Sequence, residues 1–314
     1  MKKSKIKEVV LAITYQCNSR CRMCGIWKKE NPEKIVLEKI EKIPGDLKDI
    51  NLTGGEPFLS VDLVEIVKIL NRKSPQASLI ISSNGFATGI ILGKMKEILK
   101  IKPDAGVSIS LDGSGEKHDE VRGVTGGFQK AVSTLKALKE LGVKKLRISF
   151  TLGDYNVSEL KSVYGLAEKL GVEFSLTLVH SGEQYFNTQN FVTRKESMAE
   201  ALDWLIAKEL KNWNFKKWLR AYYAFGMKKF ILSGKRILPD YSGQIGIFID
   251  PNGNIFPSDI SEEFLGNLEK SDFADLPKAQ NKKPSWMICT ARTAIRKHWL
   301  RAGMWILMNK FLKK

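Results

Sequence analysis

Thr14-Tyr15-Gln16-Cys17-Asn18-Ser19-Arg20-Cys21-Arg22-Met23-Cys24 gathers three of the chain's four cysteines within eight residues, at the spacing CxxxCxxC. Three thiolates on one short loop can hold three irons of a cubane cluster and leave the fourth iron open to a small molecule. Structural zinc usually takes four Cys or His ligands in paired knuckles, and no His lies near these three. A three-thiolate zinc site completed by Cys289 is the competing reading.

About thirty residues downstream, Asn51-Leu52-Thr53-Gly54-Gly55-Glu56-Pro57-Phe58 reads as a strand end running into a Gly-Gly-Glu-Pro loop. The two motifs together resemble the radical S-adenosylmethionine (SAM) family, over residues 8 to 180 and more weakly to about residue 292. The resemblance implies a 4Fe-4S cluster on Cys17, Cys21 and Cys24, with SAM as the second cofactor. It also implies SAM contacts along Gly54, Gly55, Glu56 and Pro57, where the loop backbone receives the amino group of the methionine moiety. Paired glycines suit that task because they let backbone approach a ligand closely. The residue before the third cysteine is often aromatic in this family; here it is Met23, whose backbone is expected to support the adenine. The implied chemistry is one-electron cleavage of SAM to a 5′-deoxyadenosyl radical that abstracts a substrate hydrogen, fed by an external reductant of flavodoxin or ferredoxin type. A catalytically silent binding or scaffold protein on the same fold is the alternative.

At 314 residues the chain is long enough for a barrel with a small appendage. Clustered thiols without a disulfide framework point to a reducing cytoplasm. The apolar run Val9 to Ile13 is too short for a signal sequence and reads as strand one. The net charge of +17 is concentrated: 208–236 carries +8, 282–314 carries +9, and the remainder is neutral. That field suits an anionic substrate or an acidic membrane surface, with nucleic acid a weaker partner.

Along the chain, β-branched runs alternate with helical spacing. Strands are predicted at 8–14, 49–52, 78–82, 106–111, 146–151 and 173–179, with helices at 37–43, 63–73, 90–99, 128–141 and 157–170. Such alternation gives a barrel or a doubly wound sheet, and the family resemblance implies a partial (βα)6 TIM-like barrel. The fourth-strand region, Val107 to Gly113 with His118-Asp119, Arg122-Gly123 and Gly126-Gly127-Phe128, resembles the peptide- and cofactor-maturing branch. Polar residues collect at predicted strand ends, among them Thr151, Asn156 and His180 to Glu183. By family position Ser83, Asn84, Ser110 and Asp112 are assigned to the SAM ribose and carboxylate, although Asn84-Gly85 and Asp112-Gly113 are also ordinary turn dipeptides. Arg122 either orders the loop over the site or pairs with Asp119 or Glu120.

The expected division is a barrel over 1–190, a helical connector over 191–240 and a small α+β extension over 241–314. Aromatics among lysines in 195–232 read first as a helical core stripe. Residues 244–258 form a hairpin about Asp250-Pro251-Asn252-Gly253 that resembles the start of a SPASM or twitch extension. Where that extension commonly has cysteine, this chain reads Phe256-Pro257-Ser258, and only Cys289 remains downstream. The expectation is a degenerate, cluster-free extension with Cys289 buried as a small hydrophobe. The stretch His298 to Met308 is too short to span a bilayer. Docking on the barrel or on a dimer partner is favoured for it over peripheral membrane contact through 292–314.

Overall fold

The computed structural model describes residues 5–30, 32–182, 188–271, 273, 275–277 and 284–312. Six parallel strands follow in chain order: β1 (Glu8–Ala12), β2 (Asp49–Thr53), β3 (Ser78–Ser83), β4 (Gly106–Ser110), β5 (Leu146–Leu152) and β6 (Glu173–Leu178). Helices α1 (Leu37–Ile40), α2 (Leu63–Lys73), α3 (Thr88–Ile101), α4 (Glu116–Arg122), α5 (Gly127–Glu140) and α6 (Leu160–Leu170) connect them. Each predicted strand and helix is present with small shifts at its ends; α4, which carries His118, Asp119 and Arg122, is an additional helix. Next come α7 (Lys195–Lys211) and α8 (Phe215–Ser233), then β7 (Gly246–Ile249), β8 (Asn254–Phe256), β9 (Gly266–Asn267), α9 (Ile288–Lys297) and α10 (Trp299–Leu307).

The sheet order is β6-β5-β4-β3-β2-β1-β7-β8-β9, and the sheet does not close. β5 explains both of its faces. Leu146, Ile148, Phe150 and Leu152 are buried in the core under the helices, while Arg147, Ser149 and Thr151 alternate onto the inner face. A parallel sheet covered on both sides is usually apolar on both. Here the inner face carries serines and threonines because it lines cavities.

The predicted hairpin forms as β7 and β8, with Asp250 Oδ1 accepting from the Asn254 amide at 2.8 Å across the turn. Its position is the unexpected part. β7 pairs in parallel with β1, from Glu8 opposite Gly246 to Leu11 opposite Ile249, so the hairpin extends the barrel sheet. The helical stretch 195–232 is two helices, because Asn214 accepts from the Lys216 amide at 2.9 Å and starts α8 afresh. Tyr222 and Tyr223 are buried as the core-stripe reading expects, whereas Trp213 and Phe215 are exposed.

The chain's end docks on α8. Trp305 packs against Tyr222 and Phe225, with ring centroids 5.5 and 4.9 Å apart, and Ala302 and Ile306 are buried. Trp299, Leu300, Met304, Leu307, Met308 and Leu312 nevertheless point outward, each more than half exposed. Docking and a free apolar face coexist.

Trp286, just before α9, is 1% exposed and fills the seam between α8 and the extension. Its Nε1 donates to the Tyr223 carbonyl at 2.9 Å, and a Cβ on Gly226 would stand 2.2 Å from its ring. Arg236 lies over the same ring at 5.1 Å. Trp286→Ala is expected to cost about 3–5 kcal/mol of unfolding free energy, read from denaturant melts; a loss below about 1 kcal/mol would mean that the seam does not hold the extension in place.

Candidate active site

β1 delivers its chain end into the thiol loop, and β2 delivers the glycine loop beside it. Gly54 has φ +137°, and a Cβ there would stand 2.2 Å from the Thr14 carbonyl oxygen. One on Gly55 would meet the Gln16 carbonyl oxygen at 2.2 Å. The Gly55 amide donates to Thr14 O at 2.7 Å and the Glu56 amide to Gln16 O at 2.8 Å. Close packing of the two loops therefore demands the glycines, a reason that ligand approach alone does not supply.

The thiol loop is held from its other side by the end of α4. Ser19 Oγ and the Arg20 amide donate to the Arg122 carbonyl at 2.9 and 3.0 Å, and the Arg22 amide donates to Val121 O at 2.9 Å. The Arg122 side chain pairs with Asp112, Nε to Oδ2 at 2.6 Å, and its Nη1 lies 3.6 Å from Cys21 Sγ. Neither Asp119 nor Glu120 is its partner: Asp119 accepts from the Gly126 and Phe128 amides, and Glu120 pairs with Lys117 and Arg22. Sequence spacing gives no sign of the Asp112–Arg122 pair, which bridges a strand end and a helix end across ten residues.

Cys17, Cys21 and Cys24 are free thiols on one cavity of about 280 Å³, and Met23, Gly54, Gly55, Ser83, Asn84 and Ser110 line it as well. Arg122, Thr151, His180, Asp259 and Cys289 are also on its wall. Cys289 thus lines the same cavity as the other three cysteines and is half-buried, not enclosed in apolar packing. Glu56, Pro57 and Asp112 stand behind the wall. Glu56 is fully buried and accepts from the Phe58 and Asn84 amides at 3.2 and 2.7 Å, while Pro57 opens a short 3-10 turn. Asp112 holds Arg122 and accepts from the Thr151 amide at 2.6 Å. Asn84 bridges loops: its Nδ2 donates to Asn18 Oδ1 at 2.7 Å and its Oδ1 accepts from the Phe86 amide at 2.9 Å. The Met23 carbonyl accepts from Asn190 at 3.2 Å. Asn156 is a buried staple, donating to the Asp112 and Thr151 carbonyls. His180 keeps its Nδ1 3.0 Å from Leu178 O, and Glu183 lies outside the described residues.

Burial pushes the Cys17 and Cys24 thiols up to about 12. Thiols in that state give up their protons to a group that brings positive charge, which is how metal centres capture cysteine. Among the described residues no three His, Cys, Asp or Glu side chains converge as they would about a single ion. Three thiols on one cavity wall supply the donor set of a cluster that leaves one iron open.

Burial also raises Glu56 from 4.5 to about 7, against the two amides that favour its charged form. Folded Glu56 holds its proton to higher pH than unfolded Glu56, so its contribution to stability is whole below pH 4.5 and is lost as pH rises through about 7. Glu56→Gln, uncharged throughout, is expected to lack that decline. The gap in unfolding free energy between wild type and variant should narrow from pH 4.5 to about 7 in urea melts; a constant gap would show that Glu56 titrates at its ordinary value.

A profile of the radical SAM superfamily matches residues 11–167. Among curated relatives, pre-heme d1 synthase of Dinoroseobacter shibae is 25% identical over 298 residues, 85% of this chain and 72% of that protein. A probable GTP 3′,8-cyclase of Metallosphaera sedula is 29% identical over 179 residues, 54% of each chain, so this chain spans about half the cyclase's length. The sporulation killing factor maturation protein SkfB of Bacillus subtilis is 30% identical over 160 residues, 49% of this chain and 37% of that one. In fold, SuiB of Streptococcus suis, solved with S-adenosylmethionine, superposes with a TM-score of 0.64 at 16% identity, covering 86% of this chain and 65% of its own. The anSMEcpe structure with AdoMet and a Cp18Cys peptide gives 0.61 at 19% identity, covering 84% and 78%. These relatives include the SPASM/twitch branch. With half its length matched by the superfamily's profile and its open barrel shared with SAM-bound structures, the chain belongs to the radical SAM superfamily, a family of enzymes whose cofactors are SAM and a 4Fe-4S cluster.

Proposed function

We propose that Cys17, Cys21 and Cys24 hold one 4Fe-4S cluster, and that the Gly54–Gly55 backbone beside them receives the methionine moiety of SAM. The observation that carries this reading is the convergence of the three thiols and both glycines on a single cavity at the C-terminal ends of the strands. When bound, the cluster and SAM supply one-electron cleavage of the sulfonium and hydrogen abstraction. The chain's own part is to hold and orient. Ser83, Asn84 and Ser110 offer side chains toward the ribose and carboxylate, and the Met23 backbone supports the adenine. Asp112, already engaged by Arg122 and the Thr151 amide, is a positioning residue in this reading. The Arg122 guanidinium, 3.6 Å from the Cys21 sulfur, holds that side of the thiol loop in place. Strand-end loops and α9 enclose the cavity and limit water around the reacting carbon.

The substrate in this reading is a peptide, a cofactor precursor or an anionic, lipid-linked molecule, and the electron comes from a flavodoxin- or ferredoxin-type donor. Anaerobically reconstituted protein is expected to carry about four irons and to release 5′-deoxyadenosine from SAM on reduction with dithionite. Replacing Cys17, Cys21 and Cys24 together by Ala should abolish both; deoxyadenosine above background in that variant, or bound iron that never cleaves SAM in the wild type, sinks the assignment.

The outward apolar face of α10 supports peripheral contact with an anionic bilayer surface. Trp299, Leu300, Met304 and Leu307 lie outward there, with exposed Lys297 and Arg301 beside them. That combination suits a helix lying in the headgroup region. Among the described residues no helix is long and apolar enough to cross a membrane. The protein is expected to sediment with vesicles containing phosphatidylglycerol and to remain in solution with pure phosphatidylcholine. Replacing Leu300, Met304 and Leu307 by Ser should abolish sedimentation, and equal sedimentation of variant and wild type would remove α10 from the contact.

A further inference from the structure

The mouth cavity continues down into the barrel. It shares Asn51, Ser82, Ser149, Asp259 and Cys289 with a cavity of about 130 Å³ between the sheet and α9. That space in turn shares Arg147, Ser175, Ile288 and Arg292 with a third cavity, of about 330 Å³, between β6 and helices α8 and α9. Ser82, Ser108, Ser149 and Ser175, one from each of β3 to β6, face this route. It runs from thiols, past hydroxyls, to cations.

Five cations line the third cavity, with Glu173 the one carboxylate among its lining residues. Four of the five are matched. Lys216 pairs with Glu173 at 3.0 Å, Arg220 with Glu209 at 3.1 Å, Arg296 with Asp49 at 2.6 Å, and Arg292 reaches Glu8 and Asp49 at 3.6 and 3.5 Å. Arg147 makes no hydrogen bond or ion pair among the described residues. The carboxylates that act on it through space, Glu173 and Asp49, are already bonded to Lys216 and Arg296. Burial holds its pKa below the ordinary value, yet a guanidinium stays charged at any working pH. Arg292 Nε beside it is buried without a hydrogen-bond partner. A half-buried cation whose two nearby carboxylates are bonded to other cations, and a neighbouring buried donor with no acceptor, both favour an anion that completes them.

We propose that this cavity is a subsite for an anionic group of the barrel's substrate, a carboxylate or phosphate gripped by the guanidinium forks of Arg147 and Arg292. Forked donors match the paired oxygens of either anion. Arg147, Ser149 and Thr151 share one face of β5, so four residues of strand set Arg147 ~13 Å below the mouth. A molecule with its anionic end at Arg147 and its reacting C–H at the mouth is about that long, and carries polar groups between to meet the serines. The inference names the substrate class of the same barrel and rests on the radical SAM reading only in calling the bound molecule a substrate.

The test is isothermal titration of the 314-residue chain at low salt with inorganic phosphate and, separately, with succinate. One saturable site is expected for at least one of the two anions, and the preferred anion tells phosphate from carboxylate recognition. Arg147→Gln should weaken that site ten-fold or more, while Lys235→Gln, on the exposed basic surface, should leave it unchanged. Absence of saturable binding, or equal affinity in Arg147→Gln and wild type, overturns the subsite. If Arg147→Gln does not fold, Arg147→Lys decides by the same measure, because it keeps the charge and loses the fork: weaker binding upholds the proposal and unchanged binding overturns it. The titration needs no SAM chemistry, so its failure and a failure of deoxyadenosine formation are read separately.

Discussion

The carbonyl oxygens of Thr14 and Gln16 occupy the space that side chains on Gly54 and Gly55 would fill, and the rest of the mouth depends on that contact. With it, the exits of β1 and β2 lock backbone to backbone, so the thiol loop has a fixed seat. Glu56 carries the link onward to β3 through the Asn84 amide, and Asn84 returns it to the thiol loop at Asn18. On the other flank Asp112 ties β4 to β5 at the Thr151 amide and to α4 at Arg122. The geometry of three cysteines is thereby set by atoms that are not sulfur. Residues that ligate nothing hold the loop for those that do.

Two fully buried carboxylates, Glu56 and Asp112, sit directly behind this mouth. They are tolerated for different reasons. Asp112 has a guanidinium partner and an amide donor, and removing one member of such a pair leaves an uncompensated buried charge at a cost of about 3–5 kcal/mol. Glu56 has no ion-pair partner among the described residues, and burial raises its affinity for a proton despite the amides of Phe58 and Asn84, the Ser83 hydroxyl and the more distant Arg122. Its side chain therefore acts as a strut between loops, even though the motif that contains it reads as a ligand loop.

The barrel was legible because its signals are local: β-branched runs, helical spacing and loop residues at strand ends each occupy a few consecutive positions. The thiol spacing and the glycine pair were legible for the same reason. What escaped was contact between distant segments. The hairpin of 244–258 announced itself by Asn252-Gly253, but nothing in it says that β7 would lie along β1. In sequence Cys289 is favoured as a small hydrophobe over a fourth member of the thiol group, and it lines the same cavity as the other cysteines because α9 lies against that cavity. Arg147 reads as one polar position in an alternating strand; only the surrounding ion pairs reveal that its nearby carboxylates are bonded to other cations. In sequence, docking and membrane contact stand as alternatives for α10, and in the fold one side docks through Trp305 while another stays free.

The pairing of β1 with β7 also sets an order of assembly. During synthesis the six barrel strands and their helices emerge first, and β1, the strand that leads into the thiol loop, remains an unpaired sheet edge until residues 246–249 follow. Contacts that join distant parts of a chain form late and slowly, and an unpaired strand edge is a template for association with other chains. The nascent protein thus passes through a stage in which its thiol loop is reachable from solvent and its first strand is exposed. Arrival of the C-terminal third ends both conditions together: β7 covers the edge, and α9 with Cys289 comes down over the cavity.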